Sequence, residues 1–239
     1  MAGARGCRLH YEPELSSDPS TARTTASSLQ FAIRQDLING VFPAGAKLRI
    51  RELAERYEVG TIPLREALSR LCNTGFIDAI DQKGFRVSDV SEDELLDITR
   101  TRQQLESLAL REAISRHDGE WEGRVLAAYH QLKRLPLHLE GPDKDINPDW
   151  ERAHDAFHET LISGCSSKWL KRFCATMREQ TARYRALSAG IGHAEQRNVD
   201  AEHQAIVDAI MQRDADRACE LLSGHFAATT RLVARLLQE

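Results

Sequence analysis

The stretch from Arg49 to Val87, RIRELAERYEVGTIPLREALSRLCNTGFIDAIDQKGFRV, reads as helix, tight turn, helix and then a hairpin with a basic tip. Leu53, Ala54 and Tyr57 recur at three- and four-residue spacing, which draws one apolar stripe on a first helix ending at Val59-Gly60. Gly60 suits a turn that a side chain would resist. Thr61 is placed to cap the second helix through its hydroxyl, and Pro63 is accommodated in the first turn, where nitrogens lack intrahelical acceptors. The second helix is therefore expected to start near Ile62, with Leu64, Ala67, Leu68 and Leu71 buried and Arg65 and Ser69 facing out. Gly75 is its C-terminal glycine. Alternation in Phe76–Ile80 and Phe85–Val87, around Asp81-Gln82-Lys83-Gly84, predicts two short strands and a loop. Two amphipathic helices about a glycine are common in any helical domain. The added hairpin predicts a winged helix-turn-helix, whose second helix meets base edges and phosphates.

At these residues the chain resembles the GntR family of bacterial transcription regulators. The resemblance is carried by Arg51-Glu52-Leu53-Ala54, Pro63-Leu64-Arg65-Glu66-Ala67-Leu68, Leu71 to Gly75, and Lys83-Gly84-Phe85-Arg86-Val87. It implies DNA contacts at Arg51, Arg65 and the Lys83-Gly84 wing tip. Many members carry arginine at the turn position before the proline, where this chain has Thr61, so the base preference there is its own.

A chain of 239 residues is too long for this module alone and suits two domains. Residues 1–22 read as a disordered tail, 23–88 as the winged module and 91–239 as a second domain. Residues 23–88 hold ten Lys/Arg against seven Asp/Glu, a slight basic excess in a chain of net charge −4. That weak asymmetry is what a DNA reader joined to an acidic domain would show, and what ordinary scatter would show as well. The five cysteines, Cys7, Cys72, Cys165, Cys174 and Cys219, lack metal-like pairing and read as reduced thiols. No apolar run approaches the roughly 20 residues that span a bilayer, and the first twenty residues lack a signal peptide's apolar segment. A cytoplasmic protein, at the nucleoid through operator binding and with no membrane partner, is expected.

Ser91 and Glu94 have capping-box spacing and start the second domain. Helices are expected to about His117, over Glu120–Arg134, from the Asn147-Pro148 cap to Gly164, from Ser166 or Ser167 to Gly190, over Ala194–Gln212, and from an Asp214 cap to Leu237. The fold class is mainly α: an N-terminal winged helix-turn-helix and a C-terminal bundle of about six helices.

Two features of this bundle carry chemistry. Arg102 shares a face with Leu95, Ile98, Leu105 and Ala109, and a charge on an apolar stripe needs an anion. Glu106, one turn along, would satisfy it internally; a small-molecule carboxylate is the other reading. His154 and His158 project from one helix face, His203 shares a stripe with Ile206 and Ile210, and His225 one with Leu221, Leu222 and Leu232. A single inward histidine is ordinarily a core residue. Four from three helices suit a divalent cation, zinc or nickel.

This half resembles the FCD ligand-binding domain of the FadR-type branch of GntR regulators, through Arg102 to Glu106, His158, His203 and His225. Where that pattern has Asp or Asn, this chain has His154 followed by Asp155. Either His154 is a ligand, or the site has three histidines plus water or effector; position 155 is rotated about 100° away on a helix. Trp121 to Tyr129, Gly164-Cys165-Ser166, Arg172-Phe173-Cys174 and Arg183-Tyr184-Arg185 are similar to the CsiR subgroup, which answers to small dicarboxylates such as glutarate. The resemblance implies a homodimeric repressor of double-stranded operator DNA, released by a carboxylate held near the metal and Arg102. Two alternatives stay open. His154-Asp155 also begins HD-type metal phosphohydrolases, with His117 and Asp200 available, and a purely structural metal with a protein partner is the other.

Overall fold

The computed structural model describes residues 19–80, 84–116, 118–140, 146–191 and 197–238. The N-terminal part comprises α1 (Pro19–Ile38), β1 (Lys47–Leu48), α2 (Ile50–Arg56), α3 (Thr61–Asn73), β2 (Ile77–Ile80) and β3 (Gly84–Val87). Helix α1 takes in Pro19 to Ala22, which the sequence assigned to a tail, and β1 is a further addition. Ala26, Leu29 and Ile33 form the buried stripe of α1 and lie against α3. The sheet has the order β1-β3-β2, antiparallel throughout, with Ile77 opposite Val87 and Ile80 opposite Gly84.

Two local expectations are corrected. Gly60 is an extended N-cap with φ −70°, and the left-handed residue of the turn is Glu58, at φ 53°. Thr61 lies inside α3 and makes no capping bond, because the cap position falls one residue earlier. Gly75 behaves as expected, at φ +72°. Its N–H donates to the Cys72 carbonyl and that of Phe76 to the Leu71 carbonyl, which closes α3 in a Schellman motif.

The second part holds α4 (Glu92–Ser115), α5 (Gly119–Lys133), α6 (Pro148–Ser163), α7 (Lys168–Ile191), α8 (Val199–Met211) and α9 (Ala215–Gln238). The Ser91 hydroxyl accepts from the Glu94 N–H and the Asn147 side chain from the Asp149 N–H, so two predicted caps operate as written. Helix α4 packs against α7 and α9, α5 against α6, and α8 against α9. Their shared core includes Leu110, Trp121, Phe157, Leu161, Ile206 and Leu222. Cys165, Cys174 and Cys219 are buried free thiols and Cys72 is half-buried; Cys7 lies outside the described residues. No helix among the described residues is long and apolar enough to cross a membrane.

The two parts share packing. Ile146 and Ala182, from the helical half, complete the apolar cluster built on Leu29, Leu64, Leu68 and Phe76. Gln180 on α7 donates its Nε2 hydrogen to the Thr74 carbonyl at 2.9 Å, and a Cβ on Gly75 would collide with its carboxamide. Gly75→Ala is accordingly expected to lower unfolding free energy by about 1–2 kcal/mol from the left-handed backbone alone, with displacement of Gln180 adding to it. Urea denaturation checks this, and an unchanged midpoint would contradict it.

Candidate metal centre and nucleic-acid interface

Helix α6 places His154 and His158 one turn apart, and their Nε2 atoms approach to 3.2 Å. His203 on α8 and His225 on α9 face them. All four are buried, and one nitrogen from each lies within 4.8 Å of every other. Adjacent nitrogens around tetrahedral zinc are separated by about 3.3 Å, the edge implied by bonds of about 2.0–2.1 Å. His158 Nδ1 and His203 Nε2 are buried and make no hydrogen bond among the described residues. Desolvation, then the neighbouring imidazoles and Arg102 or Arg197, drive the pKa values of His158 and His203 well below the ordinary histidine range. Burial likewise lowers the pKa of His225, so these three rings favour the neutral form, the protonation state that metal coordination requires. His154 belongs to it and Asp155 does not; Asp155 lies on the flank of α6, 3.7 Å from Arg34 Nη2.

Two residues absent from the sequence expectations support the cluster. Glu202 Oε2 lies 2.7 Å from His225 Nδ1, which assigns the ring proton to that nitrogen and leaves Nε2 with a lone pair. Arg197 grips Glu202 with Nε at 2.8 Å and Nη2 at 2.7 Å, and also donates to the Thr229 hydroxyl and the His225 carbonyl. Burial works to raise the Glu202 pKa, but the bonds from Arg197 and His225 hold it down to about 2. Arg197 precedes α8 and reaches across to α9, so no helical spacing in the sequence marks it.

Arg102 is committed internally. Its Nε donates to Glu106 Oε1 at 2.6 Å and its Nη1 to the Thr181 hydroxyl at 3.0 Å, while its guanidinium lies 3.8 Å from the Phe226 ring centroid. Of the two readings the sequence allowed, the structure displays the pairing with Glu106.

The cluster opens on a cavity of about 830 Å³ between α5, α6, α8 and α9, whose wall includes Trp150, Glu151, His154, Arg197, His203 and His225, but not Arg102. Trp150 stacks on His154 at 4.7 Å. Glu151 faces two ways, because it also pairs with Arg34 of α1 at 3.2 Å and accepts from Gln35 Nε2 at 2.9 Å. Arg34 bonds Glu179 of α7 at 3.0 Å as well. Desolvation opposes the charge on Arg34, but Glu151, Glu179 and Asp155 together raise its pKa.

In the N-terminal part, Arg51, Thr61 and Arg65 are exposed on α2 and α3, and Gly84 opens β3 at φ +100°, a backbone that favours glycine. Lys83, the predicted wing-tip cation, lies outside the described residues, as does His117.

Residues 25–87 match the model of the bacterial regulatory proteins of the gntR family, and residues 97–228 that of the FCD domain. The chain belongs to the gntR family and carries an FCD domain. Among curated relatives, the uncharacterized HTH-type transcriptional regulator BphR of Paraburkholderia xenovorans is 39% identical, over 84% of this chain and 82% of its own length. The HTH-type transcriptional repressor GlaR of Escherichia coli is 33% identical, over 86% of this chain and 94% of its own. In fold, E. coli McbR/YncC superposes with a TM-score of 0.69 at 18% identity, covering 90% of this chain and 98% of that one. This gntR-family protein is a DNA-binding transcriptional regulator. Its families and relatives are regulators and not enzymes, which closes the phosphohydrolase reading of His154-Asp155.

Proposed function

We propose that this regulator is a homodimeric, metal-containing repressor whose hold on a palindromic operator is released by a small carboxylate, of the dicarboxylate class suggested by its likeness to the CsiR subgroup. The reading is carried by four buried, converging imidazoles at the edge of a cavity whose wall also bears Arg197. His154, His158, His203 and His225 would hold the ion, zinc or nickel. An ion held there would act as a Lewis acid and, by expanding its coordination beyond the four imidazoles, could accept a carboxylate oxygen. Arg197, kept in place by Glu202, presents positive charge at the same wall, and Lys133 adds a second cation. Arg102, paired with Glu106, contributes a fixed charge behind His158 rather than a direct contact. The repressor polarity agrees with the name of the relative GlaR.

The signal route runs along α6. An anion entering the cavity meets Glu151, and like charge there disturbs the balance among Glu151, Arg34 and Glu179. Arg34 is part of α1, which packs against the recognition helix α3. A ligand that favours one arrangement of this contact shifts the population of head orientations. Two heads must match half-sites set by the DNA repeat, so a small reorientation weakens operator binding.

Arg51, Thr61, Arg65 and Gly84 are assigned to the reading face, and the family resemblance adds Lys83 as a further DNA contact. Arg65→Ala is expected to cost about 1–3 kcal/mol of operator affinity with the thermal midpoint unchanged, since Arg65 is exposed. Fluorescence anisotropy on an operator obtained by in vitro selection tests this; equal affinity of variant and parent would sink the assignment of α3.

A further inference from the structure

Ile62 is the most exposed large apolar side chain among the described residues, at 81%. It is the second residue of α3 and shares its outward face with Arg65, Glu66 and Ser69, three, four and seven positions on, all of them exposed. Opposite them Leu64, Ala67, Leu68 and Leu71 are fully buried. A scattered surface isoleucine is ordinary in itself. This one stands in the first turn of a recognition helix, the part that reaches base edges in the major groove. Its β-branched side chain is a weaker helix former than alanine or leucine, and at this exposure no burial compensates. Glu66 is turned along the helix to Arg70, at 2.6 Å, which leaves the Ile62 methyls and the Arg65 guanidinium as neighbouring apolar and cationic features of the leading turn.

The major groove offers one apolar feature, the C5-methyl of thymine. We infer that Ile62 is a specificity-determining residue that selects thymine in each operator half-site by packing on that methyl. The three-residue separation from Arg65 advances along the helix by about 4.5 Å, against about 3.4 Å per base step, so the thymine lies within one or two base pairs of the base facing Arg65. The inference rests on α3 being the recognition helix and adds what that helix reads at its tip.

The test uses full-length protein and an operator recovered by in vitro selection from random duplex DNA. Each thymidine in the half-site is replaced in turn by deoxyuridine, which removes the methyl and keeps the base pair. At one position the parent protein is expected to lose about three- to tenfold in affinity, and Ile62→Ser is expected to bind the two duplexes alike. Its melting temperature should match the parent's. Selection repeated with Ile62→Ser should lose the thymine preference there and keep the rest of the site. If every deoxyuridine penalty is the same in parent and variant, the inference is overturned. Failure of the parent to enrich any sequence would overturn the operator-reading function along with it, so the two failures are distinguishable.

Discussion

Arg34→Ala is expected to destabilise the protein by about 3–5 kcal/mol, the range for breaking a buried pair from one side. The substitution removes the cation facing Glu151, whose side chain is only 4% exposed, and takes the Nε donor from Glu179. Glu151→Gln in the same chain replaces the stranded charge with a neutral amide and should restore a large part of the loss. Urea unfolding of the parent, both single variants and the double variant measures the coupling directly. Additive single effects would show that Arg34 and Glu151 stabilise the fold independently and would remove the proposed link between cavity and head. A coupling above about 1 kcal/mol supports it, and any ligand response in operator affinity should then weaken in Arg34→Ala.

His203→Ala combined with His225→Ala is expected to abolish metal binding, because it takes two of four nitrogen donors from two different helices. Elemental analysis of dialysed protein should fall from one ion per chain to none. Added zinc should stabilise the parent by about 2.7 kcal/mol at a hundredfold excess over its dissociation constant, and should leave the double variant unmoved. His130→Ala, on an exposed face of α5, is the control that keeps full occupancy. Full occupancy in the double variant would refute the four-histidine centre.

The features legible in the sequence were those written as local periodicity or as a cap. Helices α2 and α3, the wing strands, Ser91 and Asn147 all obey such local rules. The histidine cluster was legible because each ring sits on an apolar stripe whose period fixes the inward direction, and the same geometry brings His154, one turn before His158, to the other rings. The stripe also placed Arg102 inside, but helical spacing alone does not distinguish an anion one turn away from an anion in a cavity.

What was missed has a different origin. Helix α1 carries its burial on Ala26, Leu29 and Ile33 amid serine, threonine and arginine, a thin stripe that becomes informative only once α3 is beside it. The cap of α3 fell on Gly60 instead of Thr61, a one-residue shift within the usual uncertainty of helix ends. Arg197 with Thr229 and Gln35 with Glu151 are pairings 32 and 116 residues apart, and the chain's own period carries no trace of them. The wall cation and the proposed link between the two parts both belong to this long-range class.

Control of the hold on DNA by an anion in the cavity is the proposed switch. It is tested most directly by measuring operator affinity of zinc-loaded, full-length protein by anisotropy, with and without millimolar C4 to C6 dicarboxylates and their monocarboxylate counterparts, following thermal midpoints in the same samples. At least one dicarboxylate is predicted to raise the midpoint while weakening operator binding tenfold or more, with its monocarboxylate counterpart much less effective. Operator affinity and thermal midpoint both unmoved across the whole series would contradict the account and leave the metal a structural role.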